Sequence, residues 1–435
     1  MCQISSLRKI SEFTQKYIFR QKCLNVFTKS KINSIIGKNI GRKKEMADYL
    51  ENLTTLPFAP LGIIAMPGCE EIGKKIDFYL TNWRKERDSE FKADATFVAY
   101  ERDTYLIDVN CPRFGSGEAK GVIRQSVRGL DMYIIVDVFN HLLKYKMYGE
   151  QVPMSPDDHY ADLKRIITAI GGKARRITVV MPMLYEGRQH RRTGRESLDC
   201  ASALQELVGM GVDNIITFDA HDPRVQNAIP VHGFENVMPT YQMIKALINA
   251  VPDIEINKEK LMIISPDEGA MARGIYFSSV LGVDLGMFYK RRDYSVVING
   301  RNPIVAHEYL GADVSGKDLI IVDDMISSGD SVLDLAEKLK ALGAKDIFVC
   351  TTFGLFCEGL EHFDDAYEKG LIRKVFTTNA ICCPDDLKAR EWYCSVDLSK
   401  YIAYIVDTLN HDASISELLD PSTKINKLLI KKGKR

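Results

Sequence analysis

The stretch DLIIVDDMISSGDSVLDLAEKLKALGAKDIFV, beginning at Asp318, ends an apolar run in two adjacent carboxylates, Asp323 and Asp324. Ser327, Ser328, Gly329, Asp330 and Ser331 follow, and then a helical pattern in which Val332, Leu335, Ala336, Leu339 and Leu342 recur before Gly343. A strand end meeting a helix start leaves backbone N–H groups unpaired at the positive end of the helix dipole, which suits a phosphate. The serine hydroxyls add donors, and glycine lets the backbone approach closely. Adjacent carboxylates repel a phosphate but suit the hydroxyls of a sugar, or a magnesium ion, beside it. Phosphate plus diol describes a ribose 5-phosphate; the plain alternative is an ordinary helix start with spare surface carboxylates. A P-loop is excluded, because GADVSGKD at Gly311 carries Asp318 where a hydroxyl residue is required and precedes a strand.

Four further stretches carry chemistry. FYKRRDY supplies Lys290, Arg291 and Arg292, either a solvated face or a set of cations for developing phosphate charge. IISPDEGAMAR repeats the strand, aspartate, turn and helix order with Asp267 and Gly269, and TFDAHDPRVQ places Asp219, His221 and Asp222 at a strand end. An imidazole among carboxylates beyond a strand is a magnesium-site candidate, against the reading of a structural histidine. YEGRQHRRTGRES holds Arg188, Gln189 and His190 in a segment too charged to bury, a loop over a polyphosphate or a solvent loop. PRFGSGEAKG sets Phe114, Ser116 and Glu118 in a glycine-rich turn, where Phe114 either stacks on a base or caps a core.

These stretches need rigid supports. From about Leu61, runs such as GIIAM, ATFVAY, DMYIIVDV, ITVVMPM, NIITFDA, LMIISPD, DLIIVDD and DIFVCTT alternate with helical periodicity, the pattern of an α/β fold with a mainly parallel sheet. ALQELVGMGVDNIITFDA and LAEKLKALGAKDIFVCTT echo each other: Leu207 with Leu339, Gly211 with Gly343 and Ile215 with Ile347 stand at one offset. Two similar α/β domains with a boundary near Met238 are expected, 57–238 and 239–410, the second carrying the ribose-phosphate loop. An insertion at about 141–176, with a helix of its own, and a C-terminal motif and basic tail over 411–435 complete the division.

Lys plus Arg and Asp plus Glu each number 58. With no net charge, nothing global points to nucleic acid or a membrane surface, and no apolar run reaches the roughly 20 residues of a bilayer span. Hydrophobic residues make up 46% of the chain, enough for full cores. The ten cysteines lack metal-ligand spacing, which fits reduced thiols in the cytoplasm. Residues 1–45 carry eleven Lys/Arg against two Glu and precede a second Met at 46. They read as an over-extended start, a basic disordered tail or a targeting leader.

Taken together and in order, these stretches resemble the ribose-phosphate diphosphokinases (phosphoribosyl pyrophosphate synthetases) over about Leu61 to Leu419, ending in SISELL. The resemblance implies two phosphoribosyltransferase-type (type I) α/β domains, each a mainly parallel sheet flanked by helices. It implies transfer of the diphosphoryl group of ATP to C1 of ribose 5-phosphate, with Mg2+ as cofactor and a homo-oligomeric assembly. By motif match, Lys290 and Arg292 would be catalytic, and Asp323, Asp324, Ser327, Ser328, Gly329, Asp330 and Ser331 would hold ribose 5-phosphate. Phe114, Ser116, Glu118, Arg188 and Gln189 would hold ATP, and His221 and Asp267 the metal. A non-catalytic regulatory relative and a phosphoribosyltransferase are the alternative readings. Departures mark a divergent branch: Ser327, Ser328, Asp330 and Ser331 differ from the usual phosphate loop. The turn at Asp267 reads DEGA where the family prefers a second Gly, Glu186 and Gly187 disturb the spacing before Arg188, and His190 replaces an expected Asp.

Overall fold

The computed structural model describes residues 56–91, 100–292 and 304–434, with the side chains of 88–91, 290–292 and 304–307 outside the description. From residue 57 onward they belong to one compact unit, Pro57–Arg435. The segments 1–45 and ATFVA, the latter expected as a strand, lie outside the described residues.

Two sheets organise the chain. The first has five parallel strands in chain order, Leu61–Ala65, Asp131–Ile135, Arg176–Val180, Asn214–Phe218 and Gly233–Val237. The second has seven, running Ile304–Leu310, Asp284–Arg292, Leu261–Ser265, Asp318–Ile326, Ile347–Gly354, Lys374–Thr378 and Tyr393–Val396 across the sheet. All its neighbours are parallel except the edge pair Asp284–Arg292 and Ile304–Leu310. The central strands LMIIS and IFVCTTFG are buried at every residue, as expected of parallel strands covered on both faces.

The internal echo has a structural counterpart. Helices Asp199–Gly209 and Asp330–Ala341 each lead into a left-handed glycine, Gly211 at φ 93° and Gly343 at φ 90°, and then into a parallel strand. Leu207, Leu339, Ile215 and Ile347 are all buried. In each case glycine supplies the backbone reversal that any Cβ would disfavour.

The 141–176 stretch holds more than a helix. Helix Pro156–Ile170 is capped by Ser155, whose side chain accepts from the Asp158 N–H while Asp158 returns the bond. Before it stands a two-stranded hairpin, Lys144–Met147 with Glu150–Pro153, which the polar sequence did not announce.

In the second sheet the chain leaves Leu261–Ser265 toward one side, to Asp284–Arg292, and returns on the other as Asp318–Ile326. That reversal makes a crevice at the C-terminal ends of the two strands, where ligands of open α/β sheets bind. Asp267, Asp323 and Asp324 all stand there, because Ile264 pairs with Ile321.

Candidate active site

The strand bearing the carboxylate pair runs further than its sequence suggests. Asp323 and Asp324 lie within it, and it ends only at Ile326, because Met325 and Ile326 still pair with Phe353 and Gly354 of the long neighbouring strand. The turn is thereby confined to Ser327, Ser328 and Gly329. Gly329 has φ 104°, and a Cβ built there would lie 2.3 Å from the Phe363 ring, so the position demands glycine twice over. Helix Asp330–Ala341 opens immediately afterwards, and the Asp330 N–H donates to Ser328 Oγ at 3.4 Å. Asp330 and Ser331 are both exposed. The Asp330 carboxylate at the first helical residue favours the dipole without being forced into the turn.

The adjacent carboxylates meet different surroundings, as alternation along a strand requires. Asp324 is buried; its Oδ2 lies 2.7 Å from His221 Nδ1 and 3.8 Å from Arg273 Nη2. Burial alone would raise its pKa, but the His221 hydrogen bond and the Arg273 charge outweigh it and hold Asp324 below the ordinary carboxylate value. Asp323 is only partly covered, and its Oδ1 accepts the Asp324 N–H at 2.8 Å. Burial and the adjoining Asp324 charge push its pKa well up, so the pair divides into one firm anion and one carboxyl that readily keeps its proton. The same bond to Asp324 raises the His221 pKa against its own burial.

Arg273, which the sequence motifs did not single out, stands behind this pair. Its Nε donates to Asp219 Oδ1 at 2.5 Å and its Nη2 to the Ala220 carbonyl at 3.3 Å. Asp219 also accepts from Thr352 Oγ1 at 2.6 Å and sits at φ 43°, a left-handed conformation uncommon outside glycine. Asp219 from the first sheet, Arg273 from a helix of the second and Thr352 from its Ile347–Gly354 strand thus form one buried network that fixes His221 and Asp324. The last residue of IISPDEGAMAR carried the only signal for Arg273, a cation inside an otherwise small, apolar helix start.

Near His221 lies the Arg-rich segment. The His190 ring centroid is 5.3 Å from that of His221, and its Nε2 is 3.5 Å from Asp222 Oδ2. Burial lowers the His190 pKa, while the Arg224 hydrogen bonds hold Asp222 down at about 2. Arg188 and Gln189 are exposed, and the Arg188 charge acts on His221. Asp267 Oδ1 accepts the Gly269 and Ala270 N–H groups at 2.9 and 3.3 Å, an arrangement that begins helix Met271–Leu281.

Two of the expected groups stand apart. The backbone of Lys290 and Arg292 belongs to strand Asp284–Arg292, with Lys290 opposite His307, but their side chains lie outside the described residues. Phe114, Ser116 and Glu118 form a tight turn of their own, with the Phe114 N–H donating to Glu118 O at 2.7 Å and Ser116 Oγ to Glu118 Oε2 at 2.8 Å. Among the described residues no hydrogen bond, ion pair or ring contact joins that turn to the Asp324 cluster.

The donor groups at the crevice suit a sparsely held metal. Among the described residues no three His, Cys, Asp or Glu side chains form a cage. Magnesium needs none, since it commonly takes one or two protein ligands and completes its octahedron with water and substrate phosphates. Asp267 at the crevice and the exposed side of His221 fit that requirement, whereas calcium and structural zinc ask for more protein ligands than these.

Comparison with known proteins agrees with this geometry. Residues 62–211 match the family model described as the N-terminal domain of ribose phosphate pyrophosphokinase, and residues 299–420 match the phosphoribosyl synthetase-associated domain. A ribose-phosphate pyrophosphokinase of Vibrio parahaemolyticus is 28% identical over 320 residues, covering 72% of this chain and 92% of the relative. One from Parasynechococcus marenigrum is 29% identical over 275 residues, 62% of this chain and 74% of its own. In fold, the crystal structure of phosphoribosylpyrophosphate synthetase from Mycobacterium smegmatis superposes with a TM-score of 0.63 at 19% identity, over 81% of this chain and 99% of that one. The N-terminal and the associated-domain models match in that order along the chain, and the Vibrio relative is spanned over 92% of its length: the chain belongs to the ribose-phosphate pyrophosphokinase family.

Proposed function

We propose that the protein is an active ribose-phosphate diphosphokinase that moves the β,γ-diphosphoryl group of ATP onto the C1 hydroxyl of ribose 5-phosphate, releasing AMP, in the service of nucleotide biosynthesis. The observation that carries this reading is the pairing of the Ser327–Gly329 turn, at a helix start, with Asp323 and Asp324 in the strand just before it. The turn and the helix N-terminus take the 5-phosphate through Ser327, Ser328, Gly329, Asp330 and Ser331. Asp323, the more accessible carboxyl, takes the larger share of the sugar hydroxyls, while Asp324 orients His221. His221 and Asp267 hold Mg2+, which neutralises charge on the transferring phosphates when bound.

Lys290 and Arg292 are the catalytic cations, meeting charge that develops only as the diphosphoryl group moves. No side chain need become covalently attached; alignment of the C1 hydroxyl with the β-phosphorus supplies most of the acceleration. Phe114, Ser116 and Glu118 receive the base, and Arg188 and Gln189 the phosphate side of ATP. Two domains divided near residue 238, a homo-oligomeric state and a cytoplasmic location belong to the same reading. Among the described residues no helix is long and apolar enough to cross a membrane.

Purified protein given ATP, magnesium and ribose 5-phosphate should release AMP in step with phosphoribosyl pyrophosphate. Lys290→Ala should lower turnover at least about a hundredfold with an unchanged melting temperature. Retained ATP binding with no AMP release from the unaltered chain would reassign it as a non-catalytic relative. Asp330, a carboxylate at the helix start beside the phosphate turn, is the feature favouring that outcome.

A further inference from the structure

The hairpin Lys144–Met147 with Glu150–Pro153 buries little: its strands are mostly exposed or half-buried, and an isolated two-stranded hairpin is marginal in water. It is nonetheless anchored tip to tip on the Phe114–Glu118 turn. The Tyr148 N–H donates to the Gly115 carbonyl at 2.9 Å, and the position of a Cβ on Gly117 lies 2.8 Å from Met147 Sδ. At its base, the Arg113 guanidinium lies 4.7 Å from the Tyr145 ring centroid and 2.9 Å from Asp162 Oδ2, while Tyr145 OH donates to Asp158 at 3.3 Å. Both turns are therefore braced against the start of helix Pro156–Ile170.

The residue at the tip is unusual for its place. Tyr148 and Gly149 form a two-residue loop with φ 48° and 93°, a conformation that favours Asn-Gly or Asp-Gly. A bulky side chain there bears backbone strain, and folding recovers little of it, because the ring is 82% exposed. Phe114, one residue from the carbonyl that holds Tyr148, is 54% exposed. Two open aromatic rings thus rise from backbones joined by a hydrogen bond, at a turn whose neighbour Glu118 offers a polar edge.

We infer that Tyr148 is a second base-contacting residue, and that the hairpin builds with Phe114 a two-ring platform for the purine of a nucleoside triphosphate. The inference rests on the reading of Phe114–Glu118 as the base-binding turn. A planar heterocycle stacks favourably on aromatic faces, and Glu118 accepts from its exocyclic amine. Strain at the tip is the cost of placing a ring where glycine or asparagine would be easier.

Calorimetric titration of ATP and of inorganic triphosphate into the full chain and three variants tests this. Tyr148→Asn suits the left-handed turn, so it should keep or raise the melting temperature while weakening ATP about tenfold and leaving triphosphate, which has no base, unchanged. Tyr148→Phe should bind ATP nearly as the unaltered protein does. Phe114→Ala should weaken ATP alone in the same way. If Phe114→Ala weakens ATP and Tyr148→Asn does not, the inference fails and the Phe114 reading stands; if neither does, both fail. Equal weakening of ATP and triphosphate by Tyr148→Asn would make the hairpin a general support and overturn its role at the base.

Discussion

Arg273 is the residue on which the crevice depends most. Among the described residues it is the cation paired with Asp219, and its second neighbour Asp324 is equally buried. Removing one partner of a buried ion pair leaves an uncompensated charge, whereas deleting a hydrogen bond while conserving shape costs less. Arg273→Met should therefore lower unfolding free energy by about 3–5 kcal/mol, and Thr352→Val, which loses one bond to the same carboxylate, by roughly 1.5–3 kcal/mol. Urea midpoints at constant slope read both; equal losses would contradict the assigned hierarchy. The sequence displayed Asp323, Asp324, Asp267 and His221 because each follows an apolar run, where a polar letter has no structural reason to be. It hid Arg273 and Thr352, whose partners lie 54 and 133 residues away from them in Asp219. No local pattern records a contact of that length.

At the scale of elements, period and punctuation were legible. Apolar runs ending in Asp marked Asn214–Phe218, Leu261–Ser265 and Asp318–Ile326, and Gly211 and Gly343 marked the ends of helices. Strand Gly233–Val237 escaped notice because GFENV is polar and half-exposed at a sheet edge, and the 144–153 hairpin because its alternation is between charged and half-buried residues. Strand length was set by the neighbour: pairing with Ile347–Gly354 carried Asp318–Ile326 past its carboxylates. Gly329 is where that long strand, the phosphate turn and helix Asp330–Ala341 must be reconciled. Gly329→Ala meets both a positive φ and the Phe363 ring. The left-handed backbone costs roughly 1–3 kcal/mol, and relief by tilting the helix start would displace the unpaired N–H groups. Weaker ribose 5-phosphate binding with ATP affinity retained is expected in that variant, and unchanged affinity for both ligands would separate the turn from the sugar phosphate.

Across the molecule, the two sheets are joined at places far apart in sequence. Helix Ser399–Asn410, which succeeds the last strand of the second sheet, packs on helix Glu70–Phe91 of the first, with Trp83 and Tyr404 stacked at 4.4 Å. Beneath that stack Asp407 pairs with Arg84 at 3.0 Å and with Arg87, and the Arg charges hold its carboxyl down against full burial. Arg87 donates to Tyr100 OH at 2.6 Å, Tyr100 OH lies 3.2 Å from His411 Nε2, and His411 Nδ1 lies 2.6 Å from the Asp407 carbonyl. A neutral imidazole with its proton on Nδ1 satisfies that chain, donating to the Asp407 carbonyl and accepting from Tyr100 OH at Nε2. Burial accordingly lowers the His411 pKa from 6.5 to about 4. Between those values the unfolded chain binds the proton and the folded one does not, so this contribution to stability is complete above pH 6.5 and is lost as pH falls toward 4. The shift corresponds to about 3 kcal/mol at most. Asp137, which accepts the Phe139 and Cys382 N–H groups and so spans the other meeting point of the halves, has the opposite sign. Burial pushes its carboxyl up to about 7, so its contribution is lost as pH rises from the ordinary carboxylate range. The two partly cancel in the intact protein, and the informative quantity is a difference. His411→Gln removes one titration and keeps a side chain able to donate and accept. Subtracting its melting curve from that of the unaltered chain should leave a stability difference that changes steadily from pH 6.5 to pH 4 and is flat above. A difference independent of pH would mean that His411 titrates alike in the folded and unfolded chains, and one that changes only above pH 6.5 that the fold holds it protonated.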